Sequence, residues 1–168
     1  MEKLYAIAKL FGAPLSERVI RKGEIVYDEY GEDYPGTPYY DGKDIATRRE
    51  DLPMTEHEVL HEIAHWVVAS DDQRRLPEYG LGYIALKYQA NSVPVLPEGV
   101  GGTQEMITWV FCLLIGREFG LSPALPDLPV ISWDEYLAVK RGQEPGFAAL
   151  FEEWAPIFLG LLGRGREN

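Results

Sequence analysis

The chain has 168 residues, 46% hydrophobic and 26% charged, with a formal net charge of −11. That length suits one domain, residues 1–168, able to bury about two-thirds of its unfolded surface. The acidic balance argues against non-specific binding to nucleic acid or to an anionic membrane, since both need basic patches, and weakly favours a cationic substrate or partner. A single cysteine, Cys112, cannot form an internal disulfide, and its setting from Trp109 to Leu114 reads as core rather than as a nucleophile. Glu2, Lys3 and Lys9 near the start, with no continuous apolar run, predict no signal peptide. No stretch approaches the roughly 20 apolar residues of a membrane span, so the expected location is the cytoplasm.

Leu4, Ile7, Ala8 and Phe11 stand at helical spacing and predict a first helix over 3–11, stopped by Gly12-Ala13-Pro14. Residues 16–22 read as a further short helical turn, and residues 24–30 alternate around Ile25 and Tyr27 as a strand does. From Gly31 to Asp44 the composition predicts turns; Tyr30, Tyr34, Tyr39 and Tyr40 are expected to pack this loop onto the domain rather than line a cleft. Thr55 is a good N-cap for the next helix, Glu58 completes a capping box, and Met54 can staple onto Val59. Val59, Leu60, Ile63, Ala64, Trp66, Val67 and Val68 cover most of that helix's circumference, so it is expected to be buried, ending at Asp71-Asp72. Arg74 and Arg75 follow, either in a solvated turn or paired with a carboxylate near a site. Residues 83–102 read as irregular. A helix over 103–119 comes next, with Met106, Ile107, Val110, Phe111 and Leu114 inside and Gly120 as its stop. Ser132 caps another helix that Gly142 ends, and a last helix over 145–162 is interrupted by Pro156.

The chemistry concentrates in the buried helix. All three histidines, His57, His61 and His65, recur there at four-residue spacing. His61 and His65 sit one turn apart in a His-Glu-x-x-His run, so both imidazoles can reach one metal ion. Glu62 projects beside that ion, where a carboxylate can take a proton from water. His57 lies about 12 Å along the axis from His65, too far to share the ion, and is expected to stand exposed near the helix start rather than to face substrate. A catalytic ion needs a third protein ligand, and with no histidine left this must be a carboxylate. Glu105 is the first choice, because it opens the next long helix and a rigid element can aim it; Glu98 and Glu78, both in loops, are its rivals. The cofactor expected is one divalent metal ion, zinc or iron.

The run Leu60-His61-Glu62-Ile63-Ala64-His65-Trp66, followed by Arg74-Arg75 and Tyr79-Gly80, resembles the elongation factor P hydroxylase family. The likeness continues through Arg18 to Gly23, Trp109 to Cys112 with Gly116, Tyr136-Leu137, and Pro145 to Phe151. Members of that family bind a metal through two histidines and a glutamate and hydroxylate a modified lysine on a translation factor. The resemblance implies His61 and His65 as ligands and a protein or peptide substrate such as a translation factor. Aligned on Trp109, the family's carboxylate falls at Gly101; Glu105 lies one turn nearer the tryptophan, and Glu98 three residues before the glycine. The motif alone favours a zinc metallopeptidase with Glu62 as general base. A non-catalytic metal-binding protein is the third reading, disfavoured because structural zinc usually takes four protein ligands. The fold class expected is mainly α (α+β), a compact zincin-like domain with the His-Glu-x-x-His helix at its centre and a small sheet or irregular N-terminal part.

Overall fold

In a computed structural model of the chain, the described residues are 1–20, 25–27, 33–35, 39–50, 54–81, 100–121 and 145–166, with the single positions 135, 138 and 142. Helix α1 spans Glu2–Phe11 and buries Leu4, Ile7 and Ala8. As its sequence predicts, it stops where Gly12 turns left-handed at φ 68°, with the Gly12 amide donating back to the Lys9 carbonyl.

The expected helical turn over 16–22 is instead strand β1, Leu15–Ile20, which pairs in parallel with β4, Ile45–Arg49. The pairing partner decides this, since a parallel ladder satisfies backbone groups that one isolated helical turn leaves open. Arg18 holds the two segments together: its guanidinium donates to the Asp44 carboxylate at 3.0 Å and to the Tyr39 carbonyl at 2.9 Å. Burial alone would raise the Asp44 carboxyl, but hydrogen bonds from Ser16 and Arg18 outweigh it and hold the group below its ordinary value. Between the parallel strands, β2 (Ile25–Tyr27) pairs antiparallel with β3 (Asp33–Pro35), so part of the expected turn region is a short hairpin. Tyr30 lies outside the described residues, whereas Tyr40 is buried, as a loop-packing residue should be.

Helix α2 spans Glu56–Val68. Thr55 accepts from the Glu58 amide, and the Glu58 side chain accepts from the Thr55 amide, which is the predicted capping box. Its C-terminus is closed by Arg74, whose Nε donates to the Trp66 carbonyl at 2.9 Å while the guanidinium lies 4.8 Å above the Trp66 ring. Arg74 also pairs with Asp71, so its task is to cap α2.

Helix α3, Val100–Phe119, starts three residues earlier than predicted, and Gly120 ends it at φ 62°. Ile107, Val110, Phe111 and Leu114 are buried, and Met106 is half-buried. Helix α4, Pro145–Arg166, runs through Pro156 without the predicted interruption. Proline removes one amide donor, and packing on both sides of it supports the turn. Phe158 is fully buried, its ring 4.9 Å from Phe111 and 6.2 Å from Phe11. Within α4, Gly146–Gly163 is long and apolar enough to cross a membrane by length and composition, against the expectation that no stretch comes close. Most of the expected helix between Ser132 and Gly142 lies outside the described residues, as do residues 83–99.

The described part is therefore mainly helical, with a small parallel sheet of two strands and a separate hairpin. Helix α2 is central: it packs on α3, and also touches α1 and β4. The buried side chains form one cluster from Leu4 in α1 to Leu162 in α4.

Candidate metal centre

Packing α2 on α3 brings Glu105, in the second turn of α3, over the face of α2 that carries His61 and His65. His61 Nε2 lies 2.9 Å from one carboxylate oxygen of Glu105, and His65 Nε2 lies 3.1 Å from the other. The three ligand atoms lie within 4.8 Å of one another. Two ligands of one zinc ion at about 2.0–2.2 Å stand at most about 4.4 Å apart; both histidine–glutamate contacts fall inside that span, and the 4.8 Å spread of the group would have to close slightly around an ion. Partial burial would raise Glu105, but its hydrogen bonds with His61 and His65 outweigh that and hold it well below the usual carboxylate range. His61 is pushed down by burial and by His65 beside it, so the ring favours the neutral form that binds metal.

The surroundings fix these rings. Thr108, one turn beyond Glu105 and fully buried, places Oγ1 3.2 Å from His65 Nδ1. Tyr79 stacks on the other side of the same imidazole, 5.3 Å between centroids and 19° between planes. Its hydroxyl donates to the Glu62 carbonyl at 2.9 Å. Trp109 lies 4.5 Å from the His61 ring and 5.3 Å from His57. His57 is thus half-buried rather than exposed as expected, and burial, with His61 adding, pushes it down to about 4. The reason is the packing of α3, which lays Trp109 along the first two turns of α2.

Glu62 is 6% exposed, and its Oε2 has no hydrogen-bond partner among the described residues; neither has Nδ1 of His61. Burial raises the Glu62 carboxyl well above its ordinary range, and Glu78, Glu105 and Glu58 add to the shift. A buried carboxylate oxygen without a donor is costly. The donor set of two imidazoles and one carboxylate fits zinc or non-haem iron.

Of the rival ligands, Glu98 lies outside the described residues and Glu78 is not in the group. Glu78 turns its carboxylate to the Tyr40 amide at 3.4 Å, in a half-buried position where burial raises it to about 7. Its backbone is left-handed, φ 49°, as are those of Tyr79 at 55° and Gly80 at 72°. For the two non-glycine residues this geometry costs roughly 1–2 kcal/mol each. The sequence reading left out Thr108 and named Tyr79 only as part of the family resemblance, with no task at the site. Thr108 had a signal, since three residues after Glu105 is the same helix face. Spacing gives no signal for Tyr79, because its approach to His65 depends on the unusual backbone.

Comparison of the chain with protein-family models, curated proteins and solved structures gives no match.

Proposed function

We propose that the protein is a metalloenzyme in which His61, His65 and Glu105 hold one divalent ion, zinc or iron, and which acts on a protein or peptide. The observation that carries this reading is the convergence of both histidine Nε2 atoms on the two oxygens of one carboxylate. Three protein ligands from two rigid helices leave positions open for substrate, which suits catalysis better than a closed structural site. The resemblance of the His-Glu-x-x-His helix and its flanks to the elongation factor P hydroxylases supports oxidation of a protein side chain as the reaction. A zincin-like arrangement of α2 against α3 is part of the same proposal. When bound, iron would supply redox chemistry with oxygen, whereas zinc would supply a Lewis acid that makes water nucleophilic near neutral pH.

This chain's residues have defined tasks in either case. Thr108 and Tyr79 hold His65, Trp109 packs against His61, and Glu62 would take a proton at Oε2 once a bound cation favours its ionised form over the protonated one that burial favours. That unpartnered, buried oxygen is the specific observation in favour of the second reading, a zinc metallopeptidase with Glu62 as general base. Zinc-loaded and iron-loaded protein separate the two. Iron- and oxygen-dependent gain of one oxygen on a lysine-bearing protein supports the hydroxylase reading. Cleavage of a peptide by the zinc form, abolished in Glu62→Gln, overturns it in favour of the peptidase.

A further inference from the structure

We infer that Tyr79 is a positioning residue of the metal centre, and that the left-handed turn Glu78-Tyr79-Gly80 exists to deliver it there. The inference rests on the metal-site reading above. Three consecutive residues with φ between 49° and 72° are a conformation that a chain with side chains avoids. Strain of this kind persists only where surrounding contacts over-determine it, and it gathers at functional sites. Here those contacts lead to the histidines.

The Tyr79 side chain is 1% exposed and acts at two points of α2. Its ring lies nearly parallel to His65, while Thr108 meets the Nδ1 edge of the same imidazole. Gripped by face and by edge, His65 is left with Nε2 directed at Glu105. The Tyr79 hydroxyl binds the Glu62 carbonyl, fixing the α2 turn that lies between the two histidines. Tyr40 backs the tyrosine on its far side, stacked at 4.3 Å and 6°, and its own hydroxyl donates to the Arg74 carbonyl. The turn is locked by hydrogen bonds that the Glu78 amide donates to the Tyr40 carbonyl at 2.8 Å and the Leu81 amide donates to the Glu78 carbonyl at 2.7 Å. Gly42 lets the preceding segment approach: a Cβ there would meet the Arg75 carbonyl oxygen at 3.0 Å. A right-handed backbone at Glu78 and Tyr79 would aim the ring elsewhere.

The test compares wild type, Tyr79→Phe and Tyr79→Leu in the full chain, at a temperature where each metal-free form is folded by circular dichroism. Zinc affinity is read by competition with a chelator, and ligand geometry by the visible spectrum of the cobalt form. Tyr79→Leu is expected to weaken zinc binding by about 10–100-fold, the range of losses when a ligand loses its outer support, and to alter the cobalt bands. Tyr79→Phe, which keeps the ring and loses the hydroxyl, is expected to weaken binding several-fold. Wild-type affinity and an unchanged cobalt spectrum in folded Tyr79→Leu overturn the inference while leaving the metal site standing. Should Tyr79→Leu not fold, unchanged affinity in Tyr79→Phe overturns it instead. Failure of the wild type to bind zinc or cobalt is a different result, and removes the metal-site reading itself.

Discussion

The hydroxyl of Thr108 lies 3.2 Å from Nδ1 of His65, deep in the contact between α2 and α3. In a metal-bound centre this relationship fixes the imidazole tautomer: the proton sits on Nδ1 and is donated to Oγ1, and the Nε2 lone pair is free for the ion. Thr108→Val keeps the shape and removes the acceptor. It is expected to lower zinc affinity by about 10–100-fold, with Thr108→Ser retaining most of it. Titration of zinc against a competing chelator measures both; equal affinities in Thr108→Val and wild type would show that the hydroxyl does not orient the ring.

The metal-free protein has two groups near the centre whose effects on stability oppose each other. Burial holds His57 near 4 against an ordinary 6.5, so the unfolded chain binds more protons there between those values. That contribution to stability is lost as pH falls through the window. Burial raises Glu78 to about 7 from an ordinary 4.5, so the folded chain binds more protons, and its contribution is lost as pH rises. Urea unfolding at pH 5 and pH 7, in the presence of a chelator, separates them. From pH 5 to pH 7, the stability of His57→Phe relative to wild type is expected to move down, and that of Glu78→Gln to move up. Movement of both in the same direction contradicts the assignment.

Cys112 is fully buried in α3, and burial pushes its thiol up, away from the reactive thiolate. A thiol-exchange reagent is expected to leave the native protein unmodified and to label one thiol per chain after unfolding. Cys112→Ser places a hydroxyl in the same apolar setting and is expected to cost about 1–3 kcal/mol in denaturant unfolding. Rapid labelling of the folded protein would contradict this placement.

The parts legible in the sequence were those set by local chemistry. Thr55 and Glu58 announce the start of α2, and Gly12 and Gly120 announce helix ends, because caps depend on a few adjacent residues. The approach of Glu105 to His61 and His65 was legible because a residue near the start of the next long helix is aimed at the His-Glu-x-x-His helix by packing. The misread parts depend on distant partners. Ser16 to Ile20 become strand through pairing with Ile45–Arg49, far along the chain. Pro156 is carried inside α4, which is anchored on both sides of the proline by Phe147 and Phe158. His57 is covered by Trp109 from another helix, and Tyr79 reaches His65 only through a left-handed backbone. None of these follows from spacing or propensity.

The most direct test of the centre is equilibrium dialysis of the metal-stripped protein against zinc, with metal read by elemental analysis. One ion per chain is expected for wild type and for Glu78→Gln. His61→Ala, His65→Ala and Glu105→Ala are each expected to lose affinity beyond the roughly 100-fold typical of outer supporting residues. Full binding in Glu105→Ala, or binding that survives loss of either histidine, would contradict the proposed centre.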